Sequence, residues 1–109
     1  MPTLGSRLRS ALDNLLGDGS LLILPVHPRT APRHRETLRY PSDWIYTGLF
    51  NVMELPATSV PMGLDEQGLP LAVQVVAAYG ADHLCIAAAL ALEKAFGGWH
   101  FPRVANNMP

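Results

Sequence analysis

Leu8, Leu12, Leu15 and Leu16 fall at i, i+4, i+7 and i+8, with Arg7, Arg9 and Asp13 between them. That spacing lines one face of a helix and predicts one over Ser6–Leu16, with Ser6 as N-cap and Gly17 at the stop. Leu21-Leu22-Ile23-Leu24-Pro25 follows with no polar face. A short, wholly apolar run between Gly19-Ser20 and a proline predicts a strand covered on both sides. From Val26 to Pro41 the pattern stops. Prolines 25, 28, 32 and 41 punctuate it and arginines 29, 33, 35 and 39 make it basic, so a long loop is expected. Long structureless loops are uncommon in compact domains and often functional, although a solvated surface loop is the ordinary alternative.

Asp43 to Met53 mixes aromatic and aliphatic residues and reads as a buried helix or an irregular lining segment. Pro56–Leu64 and Leu69–Ala78 are extended candidates joined by Asp65-Glu66-Gln67-Gly68, a hairpin signal with Gly68 at a left-handed position. The second run, Leu71 to Ala77, is almost uniformly apolar and asks for cover on both faces. Asp82 is expected to cap a helix over His83–Phe96, stopped by Gly97-Gly98. Its apolar residues run all round from Leu84 to Leu92, as in a helix set within a large core. A poorly ordered tail is expected from Phe101 to Pro109.

Composition adds limits. The chain has 109 residues, 49% hydrophobic and only 16% charged, against an ordinary charged share of about a quarter. Strands and a helix that each need burial on several sides exceed what so short a chain can cover, since a domain of this size buries only about two-thirds of its unfolded surface. The segment reads as part of something larger. A net charge of −1 provides no field to gather nucleic acid. The single cysteine makes no internal disulfide. No run has signal-peptide character or the roughly 20 apolar residues of a membrane span, so an intracellular chain, cytoplasmic or peripherally membrane-associated, is expected.

Four stretches carry a resemblance. Asn51-Val52-Met53-Glu54-Leu55-Pro56-Ala57-Thr58-Ser59-Val60-Pro61-Met62-Gly63-Leu64 is similar to the late motif of the amidase-signature family, and Gly68-Leu69-Pro70-Leu71-Ala72-Val73-Gln74-Val75-Val76 follows at the family's distance. Asp18 with Leu21–Pro25, and Asp82-His83-Leu84 with the alanine-rich helix to Lys94, complete the order. His27-Pro28, Ala31-Pro32, Tyr46-Thr47 and Lys94 to Trp99 resemble the type-2 fatty-acid amide hydrolases within it. Glu54 departs from the pattern, standing where a glycine usually precedes Leu-Pro; Ala72 and Ala78 replace small or glycine positions.

The resemblance implies an α/β fold: part of an α/β/α sandwich, the C-terminal portion (residues 1–99, with a tail over 100–109) of a larger mixed-sheet domain, contributing about three strands with helices on both faces. It implies catalysis by a lysine and two serines in a glycine-rich segment, with the lysine activating a bridging serine. That segment lies upstream of what is matched: no Gly-Gly-Ser-Ser-Gly run is present and Lys94 is the only lysine. No catalytic residue is therefore assigned, and no cofactor or metal is implied. Ser59, His83 and Asp43 could be drawn as a triad, yet there is no Gly-x-Ser-x-Gly elbow. The four histidines show no metal-ligand spacing, and Cys85 reads as a buried, inert thiol.

The resemblance implies that the segment before the hairpin lines the acyl channel of the family's lipid-cleaving members. Tyr46, Thr47, Phe50 and Met53 are the channel candidates, ordinary core packing being the alternative. Asp43 sits near where some members hold a polar substrate group. Two functions stay open: the terminal part of an amide hydrolase, inactive alone, or a non-catalytic paralogue that docks on or regulates a full-length amidase. A small amide substrate is the partner expected of the intact enzyme, with membrane-surface association and homo-oligomerisation both open. Met1 begins directly on what reads as a mid-domain helix, which favours the fragment.

Overall fold

A computed structural model describes residues 1, 3–17 and 19–101. The elements run α1 (Leu4–Leu16), β1 (Leu22–Pro25), a 3-10 helix (Glu36–Arg39), α2 (Ile45–Val52), β2 (Ala57–Leu64), β3 (Pro70–Val76) and α3 (Asp82–Phe96). Asp18 and the tail beyond residue 101 lie outside the described residues.

α1 forms where the leucine spacing places it but starts earlier, and only part of its leucine row is covered: Leu16 is buried and Leu12 half-buried, whereas Leu15 is 67% exposed. Thr3 is the N-cap of this helix, its hydroxyl accepting from the Ser6 amide at 3.1 Å, while the Ser6 hydroxyl returns a bond to the Thr3 carbonyl at 2.9 Å. Ser6 therefore occupies the third helical position of a reciprocal cap. Asp82 is likewise not a cap: Ala81 precedes α3, and Asp82 is its first residue, a negative charge at the positive end of the helix dipole. The segment 26–41 is irregular as expected, except for the single 3-10 turn.

The strands form an antiparallel sheet in the order β1-β3-β2. The β2–β3 hairpin turns where the sequence places it. Asp65 Oδ1 accepts from the Gln67 and Leu69 amides, both at 2.8 Å, and Gly68 takes φ +80. A bulge between Pro61 and Gly63 shifts the register within β2.

Helices cover both faces. On one, Leu16 of α1, Phe50 of α2, Met53, Leu55 and Val76 form the main core, flanked by Leu12, Leu22, Leu24, Leu49 and Ala78. On the other, Val60, Val75 and Cys85 are buried where α3 crosses the hairpin. Both faces of β3 are thus covered over Gln74–Val76, where Val75 and Val76 are 0% exposed, whereas Leu71 near its start is 41% exposed. β1 is covered on one face only. Leu22 and Leu24 point to the core, while Ile23, on the α3 side, is 52% exposed because α3 lies over β2 and β3. The expectation of two-sided cover for β1 is corrected accordingly. On the inner row of α3, Cys85 is buried and Leu84, Ala88 and Leu92 are half-buried, whereas Ile86 and Leu90, on its outer face, are 56% and 60% exposed.

The end of α2 explains the glycine position that Glu54 fills. The Leu55 amide donates to the Phe50 carbonyl at 3.1 Å and the Glu54 amide to Asn51 at 3.2 Å, the two bonds of a Schellman stop. That stop needs a left-handed residue, ordinarily glycine, and Glu54 sits at φ +56. Its carboxylate accepts from Arg9 Nη1 at 3.0 Å, tying the α2 stop to α1.

Candidate substrate groove

A proline-rich chain leaving a strand cannot pair its backbone further, so after β1 the loop 25–32 lifts away from the sheet and leaves a groove between itself, Tyr46 of α2 and residues 70–73 of β3. Its volume is about 740 Å³. Pro25, Val26, Pro28, Ala31, Pro32, Leu71, Ala72 and Val73 make its walls largely apolar; His27, Arg29, Thr30 and Tyr46 add polar edges.

Gln74 holds the groove open from beneath. It is 3% exposed, opposite Leu24 in the ladder, and its Nε2 donates to the Pro25 carbonyl at 3.1 Å and the Tyr46 carbonyl at 2.6 Å. One buried amide thus joins the loop wall to the α2 wall. A second tie lies at the rim. Arg29 Nε and Nη2 donate to Asp43 Oδ2 and Oδ1 at 2.7 and 3.0 Å, a bidentate pair. The guanidinium carbon is 3.6 Å from the Tyr40 ring centroid, and His27 Nε2 lies 3.6 Å from Asp43 Oδ2. His27 Nδ1 meets the Arg29 carbonyl at 2.8 Å, a contact that needs the proton on Nδ1. The hydrogen bonds from Arg29, and its charge, hold the Asp43 carboxyl below its ordinary range against a partial desolvation; the same bonds raise Arg29.

The four channel candidates divide. Tyr46, Phe50 and Met53 follow one another at helical spacing, and that face of α2 runs from the groove into the core. Tyr46 lines the groove, whereas Phe50 (3% exposed) and Met53 (5%) pack in the core. The Thr47 hydroxyl is bonded to the Trp44 carbonyl at 3.2 Å. Asp43, Ser59 and His83 sit on the loop before α2, on β2 and in the first turn of α3; no hydrogen bond joins them among the described residues, and Asp43 is engaged by Arg29. Cys85 is 1% exposed, its Sγ donating to the Pro56 carbonyl at 3.5 Å, and burial with the nearby Asp82 charge pushes the thiol up. Among the described residues no three His, Cys, Asp or Glu side chains gather as a metal site needs, and no helix is long and apolar enough to cross a membrane. His27, Arg29 and Gln74 were not singled out from the sequence as groove residues. Gln74 had a signal, since an amide inside an apolar central strand demands partners.

The Amidase family model matches residues 4–86. The chain belongs to the amidase family. This amidase-family chain is 48% identical over 97 residues to fatty-acid amide hydrolase 2-B of Danio rerio, covering 89% of the chain and 18% of that protein. It is 47% identical over 95 residues to fatty-acid amide hydrolase 2 of Homo sapiens, covering 87% of the chain and 18% of the relative. A glutamyl-tRNA(Gln) amidotransferase subunit of Wolinella succinogenes is 34% identical, with 83% of the chain and 21% of that protein covered. The crystal structure of the corresponding Thermotoga maritima protein superposes with a TM-score of 0.69 at 29% identity, over 83% of the chain and 20% of that structure. The α/β architecture is therefore that of the amidase fold, and the chain spans about a fifth of the length of these relatives.

Proposed function

We propose that these residues build one side of the substrate groove of an amide hydrolase that cleaves the C–N bond of fatty-acid amides. The carrying observation is the apolar groove itself: prolines, alanines and valines on two walls, Tyr46 on the third, and its rim charge already paired. Such a lining suits an acyl chain, which needs adaptable apolar contact and few polar groups. The identity to two fatty-acid amide hydrolases supports that substrate class over the glutamyl-tRNA(Gln) in the other relatives' name. In this reading the nucleophile and its base come from outside residues 1–109, which supply framework and specificity and are inactive alone.

The test is hydrolysis by the protein expressed from its own gene, offered a long-chain primary amide, a short-chain amide and glutamine. Preference for the long chain supports the assignment; equal or better turnover of glutamine overturns it. The outer face of α3, with Ile86 and Leu90 outward, favours a second reading, in which the chain docks on another amidase-family chain without catalysis. Co-purification with an amidase, together with no hydrolysis, would select it.

A further inference from the structure

Arg29 lines the groove and, among the described residues, is the arginine there whose charge is met by a carboxylate. Both ends of its guanidinium fork on that side are used on Asp43, and its flat face lies over Tyr40. Asp43 stands just before α2, which carries Tyr46, and its side chain is only 16% exposed. The pair therefore ties the loop wall, at Arg29, to the turn that leads into α2, and presents that end of the groove with a dipole in place of a net charge. A ligand bearing an ammonium or carboxylate would lose hydration there and find no counter-charge, whereas an uncharged amide loses little.

We propose that the Arg29–Asp43 pair is the charge filter of the groove, admitting uncharged acyl amides and turning away those with a free ammonium or carboxylate. This rests on the reading of the groove as an amide site. Neither residue is catalytic; they position the two walls and set which charge the rim tolerates. The asymmetry is what makes the pair informative. Removing Asp43 leaves a cation at the rim and removing Arg29 leaves an anion, so the two variants must shift preference in opposite directions.

The experiment is equilibrium binding to the protein expressed from its own gene, using a straight-chain fatty amide, its ω-amino analogue and its ω-carboxy analogue. Wild type is expected to bind the neutral amide at least about tenfold more tightly than either charged analogue, which corresponds to one factor of ten in Kd. Asp43→Asn is expected to gain about tenfold for the carboxy ligand, Arg29→Gln about tenfold for the amino ligand, and the double variant to return to the neutral preference. A merely structural role would weaken all three ligands together, in both single variants, and that pattern overturns the filter. Failure of wild type to bind any of the three overturns it too. Circular dichroism of each variant separates these patterns from misfolding, and the double variant keeps the test sharp if one single variant is unstable. Hydrolysis is read separately: binding that follows the filter without turnover would count against the amide-hydrolase reading alone.

Discussion

Replacing Gln74 with leucine keeps nearly the same volume but deletes the donor that serves two backbone carbonyls, those of Pro25 and Tyr46. Each such bond is worth about 1 kcal/mol net, and an acceptor left dry costs about 1–3 kcal/mol. Gln74 is 3% exposed, so water reaches the vacated site poorly. Added apolar burial by leucine returns part of the loss. The expected net destabilisation is about 2–3 kcal/mol. Urea titration of the protein expressed from its own gene measures it, with the midpoint falling and the slope unchanged. Gln74→Glu should be worse at neutral pH, since a carboxylate would face both carbonyls with no donor at all. Because the two carbonyls lie on opposite walls, affinity for a neutral fatty amide should fall with stability. A leucine variant that loses less than about 1 kcal/mol, or that binds the amide unchanged, refutes the role given to Gln74.

At Glu54 a left-handed residue with a side chain costs about 1 kcal/mol, while its exposed pair with Arg9 returns about 0.2–1 kcal/mol. Glu54→Gly should therefore be neutral to about 0.5 kcal/mol stabilising and Glu54→Ala destabilising; a thermal melt that ranks alanine above glycine counters this account. Asp43, held below its ordinary value by Arg29, contributes stability that is present above the unfolded carboxylate range and lost as pH falls through the depressed value. Asp43→Asn should flatten that acid limb of a stability–pH curve, and an identical limb in both proteins would refute the pairing. Cys85 should react with a thiol-directed reagent at least about tenfold more slowly in the native than in the unfolded protein, since the thiolate is the nucleophile and both burial and the raised pKa suppress it. Equal rates would contradict its burial.

Local patterns carried most of the elements. The leucine spacing of α1, the polar Asp65–Gly68 turn and the apolar run of β3 are all readable because each is a local pattern. Where cover comes from a distant element, the pattern is silent. Leu21–Pro25 looks the same whether one face or two is buried, and only the position of α3 over the hairpin leaves Ile23 outward. Caps fail for a different reason: Thr3 and Ser6 are both good cap residues, one turn apart, and the choice is made by which hydroxyl finds an amide. The odd Glu54 was visible as a replaced glycine, but the left-handed stop it serves was not. In the groove, helical spacing put Tyr46, Phe50 and Met53 on one face without showing where that face leaves the core. The Arg29–Asp43 tie, fourteen residues apart, has no periodicity to betray it.

The strand order has a kinetic side. β2 and β3 meet across a tight turn, so their ladder closes early at little entropic cost, while β1 can join only after the long segment 26–56 has been folded back. β1 is four residues long, is paired along one edge among the described residues, and ends in a proline that donates nothing. It is therefore the last strand to dock and the first to detach, and its amides should exchange with solvent well before those of β3. Detachment of β1 carries Pro25 away from Gln74 and dissolves the groove while hairpin and α3 persist. A ligand that spans the loop wall and Tyr46 then acts as a clasp on that opening, so occupancy of the groove and local order at β1 rise and fall together.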